Sequence, residues 1–519
     1  MILKENYLLG IDLGTTNIKA NIMDEDGEII ATSSRANTPI LPGPNMVEQD
    51  PNQWWDNACS ILKEITQIAG EEVVRRIRGI SVSSQVISLV PVGRDAKPVR
   101  NAITYQDTRS AAELDYIVDT LGFENFASVM GAPPSVAFLA SKLLWYKKNE
   151  PENLAKTAGL LQANGYINLK LTGKMAIDLD CASRSQCLDA KTHKWSEEIG
   201  KAIGVDLNQY LPQPSAITDI IGYVTEEAAK ETGLISGIPV CAGASDAMAS
   251  MYATGISKLG EVGEASGTTS LLFTGTNKLG NYYDPVVTFP CAINGMPFLY
   301  DAPIQTSGAA VKWFMDTFGE AEKIEAQKLN KNIFTYVNEL TESVKPGSEG
   351  LMFFPYLLGE RAPLWNSYAK GMFIGMSLGS KREHFYRAVF EGTAYAVRHV
   401  LSRVSEISGI RPSCLRIAGG GAKSLTWCKI KASMLHIPVY TLDDKSGDVP
   451  FGDVLIAGNA VGVFKDLTKT IQKIVKVKDV IEPVPEWEKA YDQLFPFYVD
   501  MYQKLDEDLK KYKTVVDQI

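Results

Sequence analysis

Asp12-Leu13-Gly14-Thr15-Thr16-Asn17-Ile18-Lys19 is the segment on which the fold turns. An apolar stretch from Tyr7 leads into it, and Ile18, Ala20 and Ile22 then alternate with polar neighbours until Asp26-Gly27 turns the chain again. Alternation of period two between tight turns predicts a β-meander, because successive strand side chains point to opposite faces of a sheet. The first turn also has the composition of a phosphate loop. Gly14 lets backbone N–H groups approach an anion, Thr15 and Thr16 add hydroxyl donors, Lys19 follows with a cation, and Asp12 is placed to hold Mg2+ directly or through water. Taken alone, the segment fits an ordinary hairpin equally well.

Residues 261–273 repeat the design, with Gly267-Thr268-Thr269 between two strand-like runs. Two such loops, one in each of two related halves, can grip a polyphosphate from opposite sides of a cleft, which makes coincidence the weaker explanation. A third loop follows a buried-strand pattern at 414–418: Gly419-Gly420-Gly421-Ala422-Lys423-Ser424, then a helical segment to about His436. Backbone there can approach a flat ligand. A dinucleotide turn, with Asp443 and Asp444 beyond the next strand, is the rival, but Ser424 stands where that fingerprint has Gly or Ala and the strand does not open a domain. A plain packing turn is the other alternative.

Between the loops lie helices, the clearest over 53–69, with Asp50-Pro51 as its start signal and Trp54, Ala58, Ile61, Leu62, Ile65 and Ile68 as its apolar stripe. A second runs from about 382 to 405. Strands alternating with helices imply an α/β architecture with helix-covered sheets, divided near residue 247 into halves 1–247 and 248–519.

A chain of 519 residues, 45% hydrophobic and 22% charged, has the size and composition of an enzyme of two or three domains. The net charge of -9, without clustered Lys and Arg, argues against nucleic acid as a partner. A nucleotide stays available, because backbone N–H groups and a divalent cation bind phosphate without global positive charge. The cysteines contain no C-x-x-C pair and fit reduced thiols in the cytoplasm. The opening residues, with Lys4 and Glu5 before a short apolar run, are too short for a secretion signal, and no apolar run reaches membrane-spanning length. His193, His384, His399 and His436 offer neither a metal pair nor a local Ser/His/Asp relay, so a catalytic base is sought among the carboxylates.

These loops, in this order and along nearly the whole chain, resemble those of the FGGY family of carbohydrate kinases. Gly371-Met372-Phe373-Ile374-Gly375-Met376, with His384-Phe385 and Ala388-Val389-Phe390-Glu391-Gly392, looks like the family's C-terminal signature. Lys142-Leu143-Leu144-Trp145 is similar to part of the N-terminal one, from which Leu139 departs. The resemblance implies an α/β chain of two actin-like (ribonuclease H-like) ATPase-fold domains with an interdomain cleft. It implies ATP and Mg2+ as cofactors, a small sugar as partner, a cytoplasmic location, no membrane contact, and a homodimer as the assembly to consider.

By the same resemblance Asp246, in Gly243-Ala244-Ser245-Asp246-Ala247, is the catalytic carboxylate that meets the substrate and takes the proton of its attacking hydroxyl; a helix cap is its structural alternative. Gly308, in Thr306-Ser307-Gly308-Ala309-Ala310, joins Gly14, Thr15, Thr16, Lys19, Gly267, Thr268, Thr269, Gly420, Gly421 and Ala422 on the nucleotide side, or else simply starts a helix before Trp313. Pro355, Gly359-Glu360-Arg361-Ala362-Pro363 and Trp365 look like a further family loop without an assigned role. Ser83-Ser84-Gln85 and Tyr105-Gln106-Asp107-Thr108-Arg109 are similar to sugar-facing segments, which makes Gln85, Asp107 and Arg109 substrate-binding candidates. A surface ion pair is the commoner fate of residues such as Asp107 and Arg109.

After Gln85, Val86-Ile87 stands where glycerol kinases carry Arg-Glu and xylulokinases carry Met-His. The charged grip on glycerol and the imidazole contact are both missing, yet the adenosine loop and residues 359–363 look nearer to the xylulokinase branch. The expectation is an ATP-dependent kinase for a ketopentose such as xylulose. The alternatives are a kinase for another polyol or sugar acid (gluconate, ribulose, erythritol) and an actin-like ATP-driven switch.

Overall fold

The computed structural model describes residues 3–281, 284, 286–293, 296–443 and 445–516, so Asp444 lies outside the described residues. The opening meander forms as its alternation predicts: β1 (Tyr7–Leu13), β2 (Asn17–Asp24) and β3 (Ile29–Ala36) pair antiparallel in sequence. β4 (Ile77–Ser84) lies parallel to β1, and β5 (Ile220–Tyr223) and β6 (Pro239–Cys241) complete the order β5-β6-β4-β1-β2-β3.

The second sheet is built from β7 (Glu261–Ser266), β8 (Ser270–Thr276), β9 (Val287–Ile293), β10 (Met296–Ile304), β11 (Cys414–Gly419), β12 (Val439–Leu442) and β13 (Val477–Ile481), in the order β9-β10-β8-β7-β11-β12-β13. The path β10-β8-β7-β11-β12 repeats β3-β2-β1-β4-β6: an antiparallel meander whose first strand has two further strands beside it, parallel to it. An antiparallel strand, β13 or β5, follows at the far end of each. This is the ribonuclease H-like fold present twice, the arrangement of actin-like ATPases.

Helices cover these sheets. α1 (Pro51–Ala69) starts where Asp50 accepts a hydrogen bond from the Asn52 N–H, and it buries Trp54, Ala58, Ile61, Leu62 and Ile65. Ile68, expected in the stripe, is 59% exposed in the last turn of α1. Farther along come α2 (Leu179–Ser183), α3 (Asp246–Thr254), α4 (Gly308–Phe318), α5 (Arg382–Ser408), α6 (Leu425–Leu435) and α7 (Val449–Ala460). α5 runs one turn past the expected end.

α3 and α7 pack on one another between the sheets, and α7 crosses β1 and β4. Their core draws Leu8 and Met23 from the first sheet and Phe273, Leu299 and Ala418 from the second, so the two halves share one apolar cluster. Contact is close: a Cβ on Gly10 of β1 would lie 2.1 Å from the Pro450 carbonyl oxygen of α7, which only glycine permits. Of the segment resembling the C-terminal signature, residues 388–392 are interior, whereas residues 371–376 are half-buried to exposed. Arg387, fully buried, binds Glu391 and Tyr491, and Glu391 accepts from the Gly347 N–H and the Ser348 hydroxyl. Among the described residues no helix is long and apolar enough to cross a membrane.

Candidate active site

Ala244 and Ser245 pair in parallel with Ser83 and Ser84 of β4, which carries the start of α3 to the carboxyl end of that strand, beside β1. Ser245, rather than Asp246, caps α3: its Oγ accepts from the Met248 N–H at 3.1 Å. The structural alternative for Asp246 thus passes to its neighbour. Asp246 accepts from the Ala247 N–H at 2.8 Å, and burial pushes its pKa up to about 6, opposed by the Arg184 charge and reinforced by Asp301 and Asp180.

Arg184 donates to Asp180 Oδ1 at 2.9 Å and to Asp301 Oδ2 at 2.5 Å, with its guanidinium 3.7 Å from the Phe289 ring centroid. Asp180 Oδ2 in turn accepts from the backbone N–H and the hydroxyl of Ser245. Reasoning from sequence passed over Asp180, Arg184 and Asp301. The one signal was the i,i+4 spacing of Asp180 and Arg184, which puts opposite charges on one helix face.

Asp12 pairs in register with Lys19 across β2 and with Ser83 across β4. Burial and then the Asp246 charge hold its carboxyl well above the usual carboxylate range. Ser83 Oγ lies 2.6 Å from Asp453 Oδ2 and 3.4 Å from Asp12 Oδ1, so a single hydroxyl proton serves two carboxylates. Lys19 Nζ binds Asp448 Oδ1 at 2.9 Å at the start of α7. The turn between β1 and β2 is held from behind: the Gly14 carbonyl accepts from Asn37 and the Thr15 carbonyl from Gln49, while Thr16 is exposed.

The second turn, Gly267 to Thr269, is exposed as well and rests on the start of α4. Gly308 N–H donates to the Gly267 carbonyl and Ala309 N–H to the Thr268 carbonyl, each at 3.0 Å. Gly308 therefore starts a helix and also touches this turn, and a Cβ there would lie 2.4 Å from Gly267 O. Ser266 pairs with Gly419, which seats the glycine loop directly beside the same turn; Gly421 is buried against Ser266. A cavity of about 390 Å³ opens there, lined by Gly419, Gly420, Ala422, Asp443 and Asp448 together with Lys19 of β2. The cleft between the sheets thus joins Lys19 to the glycine loop.

Among the described residues, Asp178, Asp180 and Cys181 are the group whose ligand atoms lie close enough for direct metal chelation. They are already engaged: Asp178 accepts from Cys181 N–H and Asn164, and Asp180 from Arg184 and Ser245.

On the remaining side of the site, Gln85 is 1% exposed and donates to Gln49, while its Oε1 has no partner among the described residues. Asp107 and Arg109 form no surface pair. Asp107 is fully buried and accepts from the Val47 N–H and from Arg109, and Arg109 reaches Glu48 and lies over Trp145. Both are turned into the protein and brace the loop that carries Tyr105, whose hydroxyl is 3.4 Å from Thr15 Oγ1. Ile87 is fully buried in the core formed with Leu89 and Ile103. Arg361 lies near the carboxylates of Asp301 and Glu360, and its Nε is buried without a partner among the described residues. Its loop is pinned to the end of β10, where Ala362 N–H donates to Pro303 O and Gln305 N–H to Glu360.

Known proteins share this architecture. Residues 7–253 match the N-terminal domain of the FGGY family of carbohydrate kinases and residues 265–461 its C-terminal domain. A xylulose kinase of Lactococcus lactis subsp. lactis is 29% identical over 503 residues, covering 96% of this chain and 97% of the relative. A gluconokinase of Bacillus subtilis is 26% identical over 518 residues, covering 99% and 98%. The crystal structure of xylulose kinase from Rhodospirillum rubrum superposes with a TM-score of 0.88 at 26% identity, covering 97% of this chain and all of that one.

Proposed function

Because the chain belongs to the FGGY family of carbohydrate kinases, we propose that its acceptor is a neutral ketopentose, xylulose foremost, and that Asp246 is the base that activates the attacking hydroxyl. As a carbohydrate kinase it uses ATP to phosphorylate an alcohol group of a small sugar. The observation that carries the base assignment is the placement of Asp246 at the sheet edge shared with Asp12, with a carboxyl pKa pushed up to about 6, near the pH at which it must exchange a proton.

The choice between a neutral sugar and a sugar acid rests on charge. Around Asp246, the carboxylates of Asp180 and Asp301 together with Asp246 itself face the guanidiniums of Arg184 and Arg361. That leaves no surplus positive charge for a substrate carboxylate. Polar atoms without partners, Gln85 Oε1, Arg184 Nη2 and Arg361 Nε, remain to pair with hydroxyl and carbonyl oxygens or hydroxyl protons of a ketose. A site of this kind discriminates strongly, because a sugar lacking one hydroxyl leaves a buried group unpaired.

The nucleotide would lie across the 390 Å³ cavity, its base on Gly420, Gly421 and Ala422 and its phosphates between the Gly14–Thr16 and Gly267–Thr269 turns, with Lys19 moving from Asp448 to a phosphate oxygen. Asp12 would hold Mg2+, and its surroundings fit a cation: Asp246, Asp448 and Asp453 crowd it with negative charge that Lys19 alone offsets. The bound ion neutralises charge on the phosphates. Gly308 keeps the second turn seated, and closing the halves 1–247 and 248–519 on the hinge of α3 and α7 excludes water from the transfer. We place the enzyme in the cytoplasm, where ATP and reduced cysteines are both expected.

The test is ADP release against xylulose, ribulose, erythritol, glycerol and gluconate. Xylulose is expected to give the largest kcat/KM; a preference for gluconate would remove the charge argument, and flat activity across the panel would remove the kinase reading.

A further inference from the structure

The carboxylate assigned as base is tied to the opposite sheet by a continuous run of buried polar contacts. Asp301, on β10, accepts from Arg184 Nη1; Arg184 Nε donates to Asp180 Oδ1; Asp180 Oδ2 holds both the N–H and the hydroxyl of Ser245, the cap of the helix that Asp246 begins. Phe289, on β9, covers the guanidinium. Little of this meets water: Arg184 is 5% exposed, Asp180 1% and Asp301 7%. Charges this dry are stable only with all partners in place, since removing one leaves another uncompensated.

We propose that Arg184 is the positioning residue through which closure of the cleft sets the orientation of Asp246. With the second sheet in place, Arg184 is shared between Asp301 and Asp180, and Asp180 fixes Ser245 and the first turn of α3. With that sheet withdrawn, Asp301 and Phe289 leave together. Arg184 then keeps Asp180 as its remaining carboxylate partner but loses its anchor on the second sheet, so the guanidinium, and through it Asp180 and the Ser245 that Asp180 holds, is freer to shift. The base is therefore held in this orientation while the second sheet is in place, and an open cleft leaves it less well aimed at water as a phosphoryl acceptor. The inference rests on Asp246 as the base and adds what controls it.

The groups facing Asp246 are Arg184 and Asp180 from the α2 segment, Asp301 from β10, Asp12 from β1 and Asp453 from α7. Arg184 favours ionised Asp246, and Asp301 opposes it. The two ends of one ion pair should consequently shift the acid limb of the kcat profile, which reports the enclosed complex, in opposite directions. Arg184→Gln is expected to move it up and Asp301→Asn to move it down, each by about one pH unit. In both, kcat should fall about 10- to 100-fold with KM for ATP unchanged, and sugar-independent ATP hydrolysis should rise relative to transfer. An ion pair with only a structural role would lower stability and leave the limb in place, or move it the same way in both variants; either result overturns the proposal.

Should Arg184→Gln not fold, Asp301→Asn and Ser245→Ala carry the test. Ser245→Ala removes the hydroxyl half of the link to Asp180, and the α3 cap, without altering a charge and leaves the N–H half, so it must lower kcat by less than the charge variants and leave the limb where it is; a shifted limb or an unchanged kcat would sink the coupling. Asp246→Asn keeps the two readings apart: full turnover there removes the base itself, whereas an inactive Asp246→Asn beside unmoved limbs in the other variants removes this inference alone.

Discussion

Asp246 has to be ionised to take a proton, and its surroundings make ionisation harder than in water. Burial is the main cause, and it raises the group from 3.8 to about 6. Activity should accordingly fall as pH drops below about 6, measured as the acid limb of kcat/KM. The same shift has a stability consequence of opposite sense: between 3.8 and about 6 the folded form holds a proton that the unfolded chain has lost, so this group's contribution to stability declines as pH rises through that window. Asp246→Asn should lower kcat by roughly 10³-fold while nucleotide binding, followed by calorimetry, stays near its original value. Asp246 is proposed from the Gly-Ala-Ser-Asp-Ala run, by resemblance to the family. Asp180 and Arg184 stand at i,i+4 spacing and were legible as a helical ion pair, whereas Asp301 was not, because it joins them from a distant strand. Asp107 and Arg109 were legible as a pair but not as an interior one, since nothing in the sequence announced that Val47, Glu48 and Trp145 would close over them.

At the scale of elements, each Gly-Thr-Thr turn proposed to bind phosphate is a hairpin turn backed by something from outside the hairpin. Asn37 and Gln49 hold the first from behind, and the start of α4 holds the second. Gly308 is the point of closest approach, and a Cβ there would meet Gly267 O at 2.4 Å, a backbone atom that cannot swing aside. Gly308→Ala is expected to displace the second turn and raise KM for ATP about tenfold, with KM for the sugar little changed, because the loss of one or two well-placed donors costs about 1.5 kcal/mol. An unaltered KM for ATP in steady-state kinetics would mean that the turn does not touch the nucleotide. The meanders and α1 were legible from period and cap. The exposure of Ile68 in the last turn of α1 was not, since the sequence carries the helical period but not which of its positions the fold covers.

For the whole molecule, the decisive feature is the pair α3 and α7 between the sheets, whose apolar residues belong to one cluster with both halves. A shared core of this kind lets the halves rotate about the helix pair without separating. Xylulose together with a nonhydrolysable ATP analogue should reduce the radius of gyration in small-angle scattering more than either ligand alone; a profile indifferent to ligands would argue against closure as the step that assembles the site. By itself the sequence determined the duplicated α/β plan and the three glycine loops, because strand period and turn composition are properties of short segments, and its resemblance to the FGGY family supplied the phosphoryl-transfer reading. Tertiary structure alone decided which charges meet, that Arg184 lies between Asp180 and Asp301, and that Asp107 is spent inside the protein. Those outcomes depend on which surfaces exclude water from one another, and that is settled only when distant segments are brought together.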